Sequence, residues 1–297
     1  MVLSINNLFK QYGSLHALSG VSFGIEEGSV FGILGPNGSG KTTTLGIVLG
    51  VINSSGGTYS WFDNKLAGNP RKKVGAILET PNFYHYLSAY RNLQIAADIK
   101  GIDYTNIEKT LKLVNLYERK DSRFSSFSLG MKQRLSIASA LLADPEVLVL
   151  DEPTNGLDPQ GIAEIRELII SVSKQGKTII LASHLLDEVE KVCTHVAVLL
   201  KGKIITSGKV SDILGSNDSI ELSADNMENL EKVANAHPSI KSAAKNSAGK
   251  LDVTFSQPVS TSELNEYFFK NGIVISHLAL RKKTLEAQFL ELTRQGK

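Results

Sequence analysis

The chain is 297 residues long, 42% hydrophobic and 21% charged, with 32 Lys and Arg against 30 Asp and Glu and a formal net charge of +2. That balance suits a globular protein with one large domain, or a large and a small one, and argues against a dedicated nucleic-acid binder, which carries a basic excess. A single cysteine, Cys193, excludes an internal disulfide framework, and no apolar run approaches the roughly 18–20 residues of a bilayer span. The start has no basic region and no cleavage site of a secretion signal, so a cytoplasmic chain is expected.

Taken in order, residues 1 to about 215 alternate short β-rich runs with helical patterns. The near-continuous apolar runs at 30–34, 74–78, 147–150 and 178–182 predict strands covered on both faces of a mostly parallel sheet. Apolar residues at three- and four-residue spacing predict helices over 162–173 and 185–192. The stretch from about 81 to 143 has few strand signals and helical runs at 107–114 and 131–142, which predicts a helical subdomain inserted between two strands. A turn-rich seam at 215–218 precedes a second pattern: strand 219–223, helix 227–236, strands 240–244 and 251–255, helix 262–271, strand 274–280 and a last helix from 284 to about 294. That order is a small α+β, split βαβ (ferredoxin-like) domain. The expected division is an α/β domain over 1–215 and an accessory domain over 216–297, the latter with matched numbers of acidic and basic residues.

The first strand runs into Gly35, Pro36, Asn37, Gly38, Ser39, Gly40, Lys41 and Thr42, with Thr43 next. This is the P-loop pattern G-x-x-x-x-G-K-[ST] in its required strand-to-helix setting. Glycines let backbone N–H groups wrap phosphate oxygens, and the following helix adds its positive N-terminal end. Lys41 is expected to reach the β- and γ-phosphates, and Thr42 to offer a hydroxyl to Mg²⁺. At the end of another strand, Asp151 is the expected partner for that metal, and Glu152 is placed to orient or deprotonate a water.

Phe127, Ser128, Leu129, Gly130 and Met131, opening a long helix before that second strand, resemble the L-S-G-G-Q signature of ATP-binding cassette (ABC) transporter ATPases. Three of these five positions depart from the consensus, while Ser128 and Gly130 are kept. The resemblance covers about 1–215 and implies a P-loop ABC-type ATPase. It implies that Tyr12 stacks on adenine, that Asp158 lies in a loop touching a partner subunit, and that His184 contacts the γ-phosphate. In that family two cassettes face each other, each ATP lying between the P-loop of one and the signature of the other. The expected protein is therefore a Mg-dependent ATPase subunit binding ATP and Mg²⁺. It would act with a second ABC ATPase subunit and separate transmembrane permease chains, peripheral on the inner face of the cell membrane, without nucleic acid. Most members carry a Gln after the strand matching 74–78; here Glu79 stands there. That variant resembles the branch that exports peptide antibiotics, as in bacitracin resistance and lantibiotic self-protection. A carboxylate is a harder metal donor than an amide, so Glu79 is an expected third metal residue.

The aromatic segment 83–90 is open to two readings, a permease-docking cleft or packing of the helical subdomain. Trp61 and Cys193 read as structural. A chromosome-maintenance ATPase would carry a long coiled coil between P-loop and signature; the interval from Lys41 to Ser128 has no sustained heptads.

Overall fold

Val30, Phe31, Ile33 and Leu34 leave no polar side chain in their run, and all five residues of the strand are buried. In the computed structural model this strand lies inside a six-stranded sheet. The structure describes the chain apart from residues 79–81, 215–218, 247, 258, 282–283 and 290–297. The chain divides into two compact units, Met1–Val210 and Ser211–Lys297.

The first unit runs β1 (Leu3–Tyr12), β2 (Leu15–Ile25), β3 (Val30–Leu34), α1 (Lys41–Val48), β4 (Gly56–Trp61), β5 (Val74–Ile77), α2 (Ala89–Lys100), α3 (Thr105–Leu113) and α4 (Leu129–Leu141). Then come β6 (Val147–Asp151), α5 (Pro159–Ser173), β7 (Thr178–Ser183), α6 (Leu186–Val192), β8 (His195–Leu200), β9 (Lys203–Lys209) and the start of α7 (Val210–Leu214). The large sheet has the order β5-β6-β7-β3-β8-β9, parallel except for the β8–β9 hairpin. Helix α1 and strands β3, β6 and β7 share a core with β1, β2 and β4, which form a second, antiparallel sheet in the order β2-β1-β4. Each fully buried Leu or Ile of that core contributes about 1.5–3 kcal/mol. Trp61 is part of it, its indole donating to Val48 O at 2.8 Å.

Register aligns the functional edge. Leu34 pairs with Ser183, and Asp151 pairs with Ala182, so β3, β6 and β7 end at one level. In open parallel sheets the carboxyl ends of the strands are where ligands bind. Between β5 and β6 the described residues form α2, α3 and α4, with the isolated bridge Ser88–Arg123 as their β-pairing. The aromatic segment divides by alternation. Phe83 and His85 stack edge-on against buried Phe124, at 5.2 and 5.4 Å between ring centres. Tyr84 and Tyr86 remain exposed.

The second unit continues with β10 (Ser219–Ala224), α8 (Met227–Asn235), β11 (Ile240–Lys245), β12 (Leu251–Phe255), α9 (Thr261–Lys270) and β13 (Ile275–Arg281), followed by a helical stretch at 285–289. Its antiparallel sheet has the order β11-β12-β10-β13, the split βαβ topology. Ile220, Leu222, Leu251 and Val253 pack with Leu264 and Phe268 of α9. Helix α9 opens with a reciprocal cap between Ser260 and Glu263.

Between these apolar positions of β10 the alternation puts Glu221. Its carboxylate accepts from Lys250 Nζ, Arg281 Nη2 and His277 Nε2, each at 2.9 Å, and from Asn246 Nδ2 at 3.1 Å. Lys250 foremost, then Arg281 and His277, hold the Glu221 carboxyl down to about 2 against its ordinary 4.5. A carboxyl lowered on folding stabilises the fold above its unfolded value, and that contribution is lost as pH falls through the folded value. Amide-exchange protection of β10 in the full chain is expected to hold at pH 5 and decline between about 4.5 and 2. In Glu221→Gln it starts lower and shows a flatter acid dependence over the same range.

Candidate active site

Strand β3 delivers the chain into the loop 35–40, and α1 begins at Lys41 with Gly40 as its N-cap in a left-handed conformation, φ 109°. A Cβ at Gly40 would lie 2.6 Å from Leu18 Cδ2 and 2.9 Å from Ala17 O, so only glycine lets the loop lie against β2 there. The Lys41 side chain is 5% exposed. Its ammonium donates to Gly35 O at 2.8 Å and Pro36 O at 3.3 Å, and lies 3.2 Å from Glu152 Oε1. Ser39 Oγ is buried and has no hydrogen-bond partner among the described residues. A phosphate oxygen satisfies such a hydroxyl.

Glu152 follows β6 with φ 48°, a left-handed conformation costly for a non-glycine residue. The turn directs its carboxylate away from the strand. Its Oε1 faces Lys41, and its Oε2 lies 2.8 Å from His184 Nδ1. The His184 backbone N–H also points to Oε2, at 3.4 Å. With Nδ1 protonated, the imidazole donates to the carboxylate and leaves Nε2 for a ligand. Asp151, on the preceding residue, is 5% exposed and belongs to the buried end of β6. The loop, Glu152 and His184 thus meet because three adjacent strands end together.

A cleft of about 430 Å³ opens over this group, lined by Tyr12, Asn37, Gly38, Gly40, Lys41, Thr42, Thr43 and Glu152. Tyr12 is 45% exposed, with Lys10 Nζ 4.7 Å from its ring centre. The same cleft is lined by Leu15, His16, Ala17 and Lys201, none of them an expected nucleotide contact. Among the described residues no cluster of three or more His, Cys, Asp or Glu can hold a metal alone. The hydroxyl of Thr42 and the carboxylate of Asp151 are hard oxygen donors of the kind Mg²⁺ takes together with substrate phosphates, so these residues fit that ion. Glu79 lies outside the described residues.

Ser128, Gly130 and Asp158 do not join this cleft. They line another, of about 470 Å³, with Leu129, Met131, Arg134 and Glu164. Ser128 caps α4, its Oγ accepting from Met131 N at 3.3 Å, and Asp158 caps α5, its Oδ1 accepting from Gly161 N at 2.9 Å. Both side chains therefore have a local structural task. Leu129, where the signature consensus has glycine, is 47% exposed.

A parallel sheet whose central strand feeds a phosphate-wrapping loop, with an acid pair and a histidine on neighbouring strand ends, defines a P-loop nucleoside triphosphatase. The ABC transporter family profile matches residues 18–155. A bacitracin transport ATP-binding protein of Enterococcus faecalis is 35% identical over 301 residues, covering 99% of this chain and 97% of that protein. A lantibiotic transport ATP-binding protein of Streptococcus pyogenes is 38% identical, covering 79% of this chain and 96% of that one. Among solved structures, the ATP-binding subunit of an ABC transporter superposes with a TM-score of 0.63 at 30% identity, covering 72% of this chain and 92% of that one. An ABC transporter cassette in its ADP conformation superposes at 0.65 with 25% identity, covering 71% and 92%. The chain belongs to the ATP-binding subunits of ABC transporters, and it is an ATPase. No helix among the described residues is long and apolar enough to cross a membrane.

Gly40→Ala forces the loop off β2 at a cost of about 1–3 kcal/mol, expected to weaken ADP binding by about 10–100-fold in calorimetric titration. Binding at the native level would show that the loop relaxes freely.

Proposed function

We propose that this chain is the motor of an exporter for peptide-antibiotic-like compounds, with residues 1–215 as motor and 216–297 as accessory domain. The named substrates of the bacitracin and lantibiotic transport relatives support that reading. The observation that carries the mechanism is the separation of the two clefts within one chain. Lys41 and the loop amides hold the β- and γ-phosphates, and Tyr12 stacks on the base. Ser128 and Gly130 act on the nucleotide of a second subunit, with Asp158 in the contact between subunits. Two subunits are needed to enclose one ATP.

Thr42 and Asp151 would hold Mg²⁺, which when bound would supply charge neutralisation on the phosphate oxygens. Nucleotide arrival draws the Lys41 ammonium from Glu152 to phosphate. The freed carboxylate of Glu152 then takes a proton from the attacking water, while His184 Nδ1 keeps it oriented. His184 Nε2 is left to meet the γ-phosphate.

Permease chains supply the path through the membrane, and the subunit works on the inner face. A groove of about 530 Å³ lined by Ala76, Phe83, Tyr84, Ile95, Ile99 and Lys100 suits a short permease helix. Exposed aromatic and aliphatic side chains favour such contacts.

Glu152→Gln is expected to bind ATP, hydrolyse it about 10²–10⁴-fold more slowly, and run as a dimer in gel filtration with ATP. Hydrolysis at the native rate would remove Glu152 as the base.

A further inference from the structure

Strands β8 and β9 are joined by Lys201 and Gly202, because Leu200 pairs directly with Lys203. Both loop residues have positive φ, 48° at Lys201 and 75° at Gly202. A two-residue hairpin of that hand favours Asn-Gly or Asp-Gly, since the first position must tolerate a left-handed backbone. Lysine at that first position is strained, and such strain persists where the surrounding structure enforces it.

The enforcement is visible. Gly202 N donates to Ser39 O in the phosphate loop at 3.0 Å, and Gly202 O accepts from Ser19 N at 2.8 Å. A Cβ at Gly202 would lie 2.6 Å from Ala17 O, and one at Gly35 would lie 2.2 Å from Leu199 O. The hairpin tip is therefore fastened to the phosphate loop and to β2 by backbone alone. The lysine side chain contributes nothing to the fastening. Among the described residues its ammonium makes no hydrogen bond or ion pair. Yet Lys201 lines the same cleft as Tyr12, Ala17, Lys41 and Thr42. Lys41, the other cation lining that cleft, is committed to Gly35 O, Pro36 O and Glu152.

We infer that Lys201 is a second nucleotide-binding cation, engaging the phosphate chain from the hairpin side of the cleft. This rests on the nucleotide lying along the cleft between Tyr12 and Lys41. A point charge there adds affinity without reading the base, and its effect weakens with salt. The strained backbone at Lys201 puts a long cationic side chain on the cleft wall, where asparagine would carry no charge.

Lys201→Asn and Lys201→Arg separate the roles, since asparagine suits the left-handed position and leaves the backbone clamp intact. ADP affinity is measured by calorimetry at low and high salt, with the melting temperature of the nucleotide-free chain alongside. Lys201→Asn is expected to melt at or above the native temperature, bind ADP about tenfold more weakly, and show a shallower salt dependence. Lys201→Arg is expected to keep native affinity. Native ADP affinity in Lys201→Asn overturns the inference, and so does a loss accompanied by a lower melting temperature, which would make the residue structural. A native chain that binds no ADP in the same titration overturns instead the cleft assignment beneath it.

Discussion

Lys41 carries an ammonium into surroundings where its side chain is 5% exposed. A cation so placed is costly unless carbonyls and a carboxylate meet it. Two carbonyls of its own loop do so, and Glu152 supplies the opposite charge. Much of the site's geometry follows from that demand. The loop must curl back to present Gly35 O and Pro36 O, and Glu152 must leave the line of β6 to reach across. Glu152 in turn needs His184, which comes from the end of the neighbouring strand. Aligned strand ends, fixed by register, bring these groups together without any long loop.

The pairing also explains how the resting site stays composed. An unopposed buried lysine would be unstable, and an unopposed Glu152 would repel a phosphate. Each neutralises the other in the nucleotide-free chain; in the proposed mechanism phosphate oxygens take the place of the carboxylate. The left-handed backbone at Glu152 and that at Lys201 both lie on the wall of the same cleft. Backbone strain at both positions is held by the surrounding structure, and both side chains line the cleft.

Much of this was legible in the sequence. Continuous apolar runs disclosed β3, β5, β6 and β7 because strands covered on both faces have no polar side to confuse the pattern. The phosphate loop was legible because fixed glycines and a lysine satisfy one backbone geometry. The split βαβ order of the second unit was legible from alternating strand and helix periods. Strands β1, β2, β8 and β9 were not singled out, and β4 was seen only as a β-rich run about Trp61; β1 pairs with register shifts near Ile5, Leu8 and Lys10, which break the two-residue alternation. The pairing of Glu152 with Lys41 was illegible because it depends on a backbone angle that no residue type announces. Lys201 was illegible for the same reason, since Lys-Gly is a poor hairpin signal. Ser128 and Asp158 carried two meanings at once, and as helix caps they have a task that needs no nucleotide. Glu79 remains a reading of the sequence alone.

The proposed exchange of Glu152 for phosphate at Lys41 is most directly tested through the ¹³C carboxyl resonance of Glu152, labelled in the full chain and recorded as ADP is added. Release from Lys41 predicts that this resonance moves on saturation and that Lys41→Met abolishes the movement. A Glu152 resonance unmoved at saturating ADP in the native chain would contradict it.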